Sequence, residues 1–344
     1  MKVDGACFCG QLTFEAEIDP ETVELHFALG SLFRRRGETD RAIRVHQNLV
    51  DREGLSDDRR LHALAELGLD YLKAGLLDRA EDIFVRLRGT VRDEEALKSL
   101  LEIYQQEKEW QKAIGIAEAM PDHADHLWQK AIAEFHCELA SSAILHGRPA
   151  EVRTHLDAAL AANRKCVRAM ILLGDLAQSE GRLDDAIEAW TRVEQQNPVY
   201  LSLVAEKLMA VLRQQGRSEH GGQLMRGYLE RHASLDLLDV AFQSELRESG
   251  PEAAYRLVRD ELRRNQTLLG LDKLLEAQVL VAPPERRADL ELVKNLIHAH
   301  TRRVARYRCD NCGFKARQFH WRCPACGGWE TYPPKRTEEF DLTP

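Results

Sequence analysis

The stretch Leu29-Gly-Ser-Leu-Phe-Arg-Arg-Arg-Gly37 has a spacing of small and apolar residues that recurs along the sequence and indicates the fold of the chain. Together with Ala42 it forms a pattern that returns in two close copies, which begin at Leu67-Gly68 and at Leu173-Gly174. Weaker copies centre on Leu101, Ala140 and Met209. The anchors at 30, 68, 101, 140 and 174 are spaced by 38, 33, 39 and 34 residues. A period of this length indicates stacked pairs of helices.

Glycine has two roles in this pattern. Gly30, Gly68 and Gly174 let the first helix of each pair approach the second closely, since they carry no side chain. Other glycines fall where a first helix must end, because glycine tolerates the left-handed backbone conformation: Gly37, Gly75, Gly147 and Gly181. The pattern resembles the tetratricopeptide repeat over about residues 23 to 223. The alternative is an irregular helical bundle, but a bundle needs no common period.

Helical patterns continue beyond these repeats. Ala233–Asn265 predicts another helical pair that is broken near Gly250-Pro251, and Leu268–Val279 and Glu285–Ala305 predict further helices. We therefore expect an all-α fold, a tetratricopeptide-repeat superhelix over residues 19–300 with a small C-terminal module. The concave groove of such an array is its usual ligand surface.

Charge is unevenly distributed over the 344 residues. The net charge is −8, yet residues 301–336 hold nine Lys or Arg against two Asp or Glu, which gives +7. Residues 337–344 contribute −3, so residues 1–300 carry −12. A basic C-terminal module either docks onto the acidic body of the same chain or meets an anionic partner.

The C-terminal module has the clearest chemical signal, a C-x2-C pair, ten residues and a second C-x2-C pair. Its members are Cys309, Cys312, Cys323 and Cys326. Two thiolates from each of two tight turns predict one tetrahedral four-sulfur site, which suits either zinc or iron. We expect six nearby aromatic residues to cover this site, namely Tyr307, Phe314, Phe319, Trp321, Trp329 and Tyr332. The double turn is similar to both rubredoxin and zinc ribbons, and the ion is expected to order residues 301–336.

Repeats followed by this module resemble one family closely, lipopolysaccharide assembly protein B. The resemblance runs from about Asp19 to the end and is carried by four segments: Leu29–Gly37, Asp40–Asn48, Leu172–Leu176 and Tyr307–Phe314. It implies that the four cysteines named above are the ligands of the family's metal.

The resemblance also implies a function. Members of the family act as adaptors that bring the deacetylase committing precursor to lipid A to the membrane protease FtsH, and they support lipopolysaccharide assembly at the inner membrane. The expected partners are therefore proteins: the deacetylase, FtsH and lipopolysaccharide assembly proteins. Homo-oligomers are also possible.

Residues 1–18 depart from the family, whose members begin with a membrane-spanning helix. The segment Gly5-Ala-Cys7-Phe-Cys9-Gly10 instead resembles the opening of a glutathione-dependent formaldehyde-activating enzyme, in which the cysteine pair contributes to a zinc site. A closed zinc site needs four ligands, so we expect no complete site here. Because no run of roughly 18 apolar residues occurs, we expect a cytoplasmic chain that reaches membranes only through its partners.

Sequence motifs also bear on whether the chain is an enzyme, a binding scaffold or an electron carrier. The sequence has no nucleophile elbow, metalloprotease helix, phosphate loop or dinucleotide fingerprint, so we assign no catalytic residue. The stretch His136-Cys137-Glu138 is not a site, because adjacent helical side chains diverge. Cys137 and Cys166 are expected to be small core residues. Two alternatives remain: a cytosolic protein- or nucleic-acid-binding scaffold, although we expect no nucleic acid, and a rubredoxin-like electron carrier if the ion is iron.

Overall fold

The computed structural model describes residues 2–6, 13–17, 23–232, 234–335 and 337–338. The chain divides into two compact units, Met1–Phe135 and His136–Pro344. The first unit opens with a two-stranded antiparallel sheet, β1 (Lys2–Ala6) and β2 (Thr13–Glu17), in which Lys2 pairs with Glu17. Cys7 and Cys9 lie outside the described residues, so the enzyme-like opening is seen only as these two strands.

Helices make up nearly all of the rest of the described chain. The first seven are α1 (Val23–Arg35), α2 (Thr39–Val50), α3 (Asp57–Lys73), α4 (Leu77–Leu87), α5 (Asp93–Glu107), α6 (Trp110–Glu118) and α7 (His126–Leu145). The next five are α8 (Pro149–Ala162), α9 (Val167–Ser179), α10 (Leu183–Gln196), α11 (Ala205–Gln214) and α12 (Ser218–Arg231). The last four are α13 (Leu235–Glu248), α14 (Pro251–Arg264), α15 (Leu268–Val281) and α16 (Pro284–Val304). A 3-10 helix, Pro198–Leu203, separates α10 from α11.

A small three-stranded sheet follows α16. Its strands are β3 (Ala305–Arg308), β4 (Lys315–Ala316) and β5 (Thr337–Glu338), in the order β4-β3-β5 with both pairings antiparallel. The fold predicted from the sequence, all-α tetratricopeptide hairpins with a small C-terminal module, is thus confirmed. The helical pair broken at Gly250-Pro251 is confirmed as α13 and α14.

The turns within the hairpins follow the glycine pattern. Gly37, Gly75, Gly147 and Gly181 all have positive φ, between 66° and 79°, and each follows the first helix of a pair. At Gly37 the left-handed turn lets the next amide, that of Glu38, donate to the carbonyl of Phe33 at 2.9 Å. The second helix begins within a few residues, with Asp40 in its first turn, where a negative charge suits the helix dipole.

The close approach of paired helices depends on the other set of glycines. A Cβ on Gly68 would lie 2.8 Å from the Phe84 ring, and one on Gly174 would lie 2.3 Å from Trp190. In each pair the ring belongs to the residue sixteen positions later, on the second helix, and both rings are fully buried. Glycine is therefore needed because the aromatic ring occupies the space of a side chain.

The first hairpin fills this space with a polar ring. His46 takes the position of Phe84 and Trp190 opposite Gly30, and it is fully buried. Its Nδ1 lies 2.5 Å from Oδ2 of Asp70, a fully buried carboxylate on the next hairpin. Asp70 follows Gly68 by two residues, and the residue two after Gly174 is leucine. The buried polar pair His46 and Asp70 thus stands between the first two hairpins at positions that are apolar in other hairpins.

Arg34 completes this polar layer. Its guanidinium donates to Asp70 and to Glu66, both at 2.7 Å. Burial opposes the charged forms, but the hydrogen bonds and charges within the cluster outweigh it, so the pKa of Arg34 is raised and the pKa of Glu66 is lowered. The arginine therefore joins two hairpins.

Within the described ranges, every helix is too short or too polar to cross a lipid bilayer.

Replacing Asp70 with Ala is expected to destabilise the protein by about 3 kcal/mol, because Arg34 loses a buried counter-charge and His46 loses a buried hydrogen-bond partner. Urea unfolding followed by circular dichroism measures the effect. Asp40→Ala is the matched control, since Asp40 is exposed, and it should cost about 1 kcal/mol or less. The double variant His46→Phe, Asp70→Leu restores the apolar residues of the other hairpins and should be more stable than Asp70→Ala alone. An equal loss of unfolding free energy in Asp40→Ala and Asp70→Ala would contradict the role of Asp70 as a buried partner of Arg34 and His46.

Candidate metal centre

Two matching turns present the four cysteines of the C-terminal module. In the first, the amide of Gly313 donates to the carbonyl of Cys309, and in the second the amide of Gly327 donates to the carbonyl of Cys323, both at 2.9 Å. Gly313 and Gly327 have φ values of 75° and 69°, which other residues rarely adopt. The glycine after each pair is therefore what closes the turn.

The turns bring all four sulfur atoms together. The Sγ atoms of Cys309 and Cys326 lie 3.8 Å apart, and those of Cys312 and Cys323 lie 3.7 Å apart. All four lie within 4.8 Å of one another. A tetrahedral ion with metal–sulfur bonds of about 2.3 Å separates its ligand sulfurs by about 3.8 Å. The arrangement fits one four-sulfur metal site, and both zinc and iron meet this geometry.

The electrostatic environment of the four cysteines favours the binding of a cation. At Cys309 burial works to raise the pKa, but hydrogen bonds from Thr331 and from the amides of Cys312 and Asn311 outweigh it and bring the pKa to about 6. At Cys312 an amide hydrogen bond from Phe314 is outweighed by burial and by the neighbouring sulfurs, which raise its pKa to about 12. Neighbouring sulfurs cannot all carry negative charge unaided. A bound divalent ion supplies the charge that permits four thiolates.

Polar side chains support two of the sulfurs. The Thr331 hydroxyl lies 3.4 Å from the Cys309 sulfur, and the Asn311 amide donates to the Cys326 sulfur at 3.5 Å. Cys309 and Cys323 are buried, whereas Cys312 and Cys326 are exposed. One side of the site thus faces the protein and the other faces solvent.

The aromatic residues near the site divide into two groups. Tyr332 is fully buried beside Cys309 and Cys323, and its hydroxyl donates to the carbonyl of Tyr307 at 3.1 Å. Trp321 instead packs against the hydrophobic core of the helical repeats. The expectation that all six aromatics cover the metal site is therefore wrong for Trp321, because its ring faces another hydrophobic surface.

That surface is centred on Tyr200 in the 3-10 helix. The Trp321 ring stacks on Tyr200 with a centroid separation of 5.3 Å and an interplanar angle of 2°. Arg168, at the start of α9, places its guanidinium 5.5 Å from the Trp321 ring centre. The Ser202 hydroxyl donates to the carbonyl of Pro334 at 3.1 Å. Of the two possibilities left open by the charge distribution, docking within the chain is the one observed.

Sequence patterns alone do not identify this docking site, because Tyr200 and Arg168 carry no metal-site or repeat signature. One signal was present: Asn197-Pro198 ends α10 and starts a 3-10 helix that the repeat pattern does not require. An interruption of the repeat next to a buried tyrosine marks the place where another part of the chain packs.

The side chains of His136, Cys137 and Glu138 point to separate neighbours. These neighbours are His155, Cys166 and Arg168, respectively.

Comparisons with protein families agree with both parts of the structure. A rubredoxin metal binding domain matches residues 307–334, and tetratricopeptide repeats match residues 25–58 and 137–199. Among solved structures, a tetratricopeptide repeat protein from Parabacteroides merdae is similar at 14% identity and a TM-score of 0.36, covering 79% of this chain and 98% of the other.

Curated relatives match over nearly the whole chain. Lipopolysaccharide assembly protein B of Escherichia coli strain K12 is 36% identical over 321 residues, which is 92% of this chain and 82% of the relative. The protein of that name from Haemophilus influenzae is 30% identical over 338 residues, which is 95% of this chain and 83% of the relative. This chain therefore belongs to the lipopolysaccharide assembly protein B family.

Proposed function

We propose that this chain is a non-catalytic adaptor that controls lipopolysaccharide synthesis. Its repeats bind the deacetylase that commits precursor to lipid A and present it to the FtsH protease at the cytoplasmic face of the inner membrane. The observation that carries this proposal is the similarity, over more than nine-tenths of this chain, to proteins named for lipopolysaccharide assembly, together with a repeat array of the kind that binds proteins.

The metal centre is given a structural role in this proposal. Cys309, Cys312, Cys323 and Cys326 bind one zinc or iron ion, which orders a segment of about 30 residues that is too short to build a core of its own. We propose that the ordered module comprises residues 301–336. It places the Trp321 ring against the Tyr200 ring. Because Trp321 is held in this contact, it is not available to stack on bases, which disfavours nucleic-acid binding by the module.

One observation favours a second function for the metal centre. The exposed positions of Cys312 and Cys326 bring two sulfur ligands to the surface, as electron transfer to an external partner requires. This function requires iron, so the identity of the metal separates it from a structural zinc site.

Replacing Cys323 with Ser is expected to reduce the bound metal from about one ion per chain to less than about a tenth, because three sulfurs no longer close a structural site. Elemental analysis of the purified protein measures this ratio and identifies the metal. Cys137→Ala removes a cysteine outside the site and should retain the metal in full. Unchanged metal content in Cys323→Ser would refute the ligand assignment.

Replacing Trp321 with Ala should release the module from the repeats while leaving the metal bound, since Trp321 is not a ligand. Amide hydrogen exchange of residues 199–203 should accelerate on the order of 10-fold or more, because stacking and cation–π contacts are together worth about 2 kcal/mol. Trp329→Ala is the matched control, since Trp329 stacks on Arg322 within the module. Exchange that accelerates equally in both variants would show that the contact with Tyr200 does not hold the module.

The adaptor function is tested by reconstitution with the purified deacetylase and FtsH in membranes. Addition of this chain should increase the rate of deacetylase degradation several-fold, because binding both proteins raises their effective concentration. A pull-down from a Gram-negative extract should recover the same two proteins. Absence of both effects with the metal-loaded chain would refute the proposal.

A further inference from the structure

Two cysteines outside the metal centre contact each other inside the helical repeats. Cys137 lies in α7 and Cys166 immediately precedes α9. Both are fully buried, and their Sγ atoms lie 3.7 Å apart. The expectation that they are small core residues accounts for their burial but not for their mutual contact, since 29 residues separate them in the sequence.

We propose that Cys137 and Cys166 are a reversible oxidation site that forms a disulfide bond in response to a peroxide. The first thiol attacks the peroxide, whose O–O bond breaks, and this gives a sulfenic acid and water. The second thiol attacks the sulfenic sulfur, the S–S bond forms, and a second water leaves. Two thiols thus lose two electrons and one hydrogen peroxide gains them. A thiol reductant reverses the reaction.

The geometry favours this reaction because little movement is required. A disulfide has an S–S distance of about 2.05 Å, so each sulfur moves by less than about 1 Å, which side-chain rotation supplies. The backbone at Cys166 is held in a tight turn, in which its amide donates to the carbonyl of Asn163 at 2.9 Å. The Asn163 side chain accepts from the amide of Lys165 at 3.1 Å. The turn therefore keeps the two sulfurs in contact.

The segments that contain Cys137 and Cys166 also support the surface on which the metal-binding module packs. Arg168 follows Cys166 by two residues and donates to Glu138, the neighbour of Cys137, at 2.8 Å. The Arg168 guanidinium lies over the ring of Trp321. A disulfide would fix the start of α9 to α7 directly beside this ion pair. Oxidation would therefore make the support of Trp321 more resistant to unfolding.

The disulfide closes a loop of roughly 30 residues, and a loop of this size restricts the unfolded chain enough to raise stability measurably. The midpoint of thermal unfolding should rise by about 5 °C on oxidation and return on reduction. This inference does not rest on the proposed adaptor function, because it concerns the chemistry of the purified chain alone.

Peptide mapping of the metal-loaded full chain tests the proposal. The protein is treated with hydrogen peroxide or with dithiothreitol, remaining thiols are alkylated under denaturing conditions, and the product is digested with trypsin without reduction. Cleavage is expected to give peptides 131–153 and 166–168, since Pro149 protects the bond after Arg148. Peroxide should produce one species that joins these two peptides and weighs two hydrogens less than their sum. Reduction should remove it.

Controls separate this reaction from oxidation elsewhere. Cys137→Ala and Cys166→Ala should each lose both the linked species and the rise in melting temperature, and the metal content shows whether the four-cysteine site has survived. Should either variant fail to fold, the map of the unsubstituted chain decides alone. Alkylation of both Cys137 and Cys166 after peroxide treatment, or a link that joins only separate chains, would overturn the proposal.

Discussion

The crossing of paired helices at a glycine is the constraint on which the repeats depend. Gly68 and Gly174 lack a side chain where the rings of Phe84 and Trp190 cross, so each pair of helices packs at a short distance. Left-handed turns at Gly75 and Gly181 then return the chain within a few residues. A close crossing of this kind lets the two helices of a hairpin bury the apolar residues that face each other.

The metal-binding module is held where this regular order is interrupted. The 3-10 helix Pro198–Leu203 inserts an extra turn between two hairpins and places Tyr200 against Trp321. Stacking and a cation–π contact with Arg168 make this attachment, even though the charge distribution suggested that a basic module would be drawn to an acidic body. Long-range charge attracts the module and the repeats as they approach each other, whereas the stability of their close contact depends on desolvated aromatic surface.

The sequence was sufficient for every feature with a local cause. Helix ends followed from glycine positions such as Gly37 and Gly147, and the convergence of four sulfurs followed from two C-x2-C turns closed by Gly313 and Gly327. Features that join distant segments could not be predicted from sequence patterns. Asp70 and Tyr200 belong to no sequence motif that reveals their roles. Their roles depend on partners on other hairpins or in the module, which no local pattern specifies.

The sulfur atoms of the second unit illustrate how environment decides chemistry. Cys309 receives hydrogen bonds that stabilise a thiolate, whereas burial and the neighbouring sulfurs raise the pKa of Cys312, so four thiolates require a bound cation. Cys137 and Cys166 lie in the repeat core, where an isolated charge is costly. A disulfide is neutral and needs no counter-ion. One chain therefore contains cysteines suited to a metal and cysteines suited to a covalent bond. Cys323 and Cys166 lie two residues from Trp321 and Arg168, respectively, which contact each other.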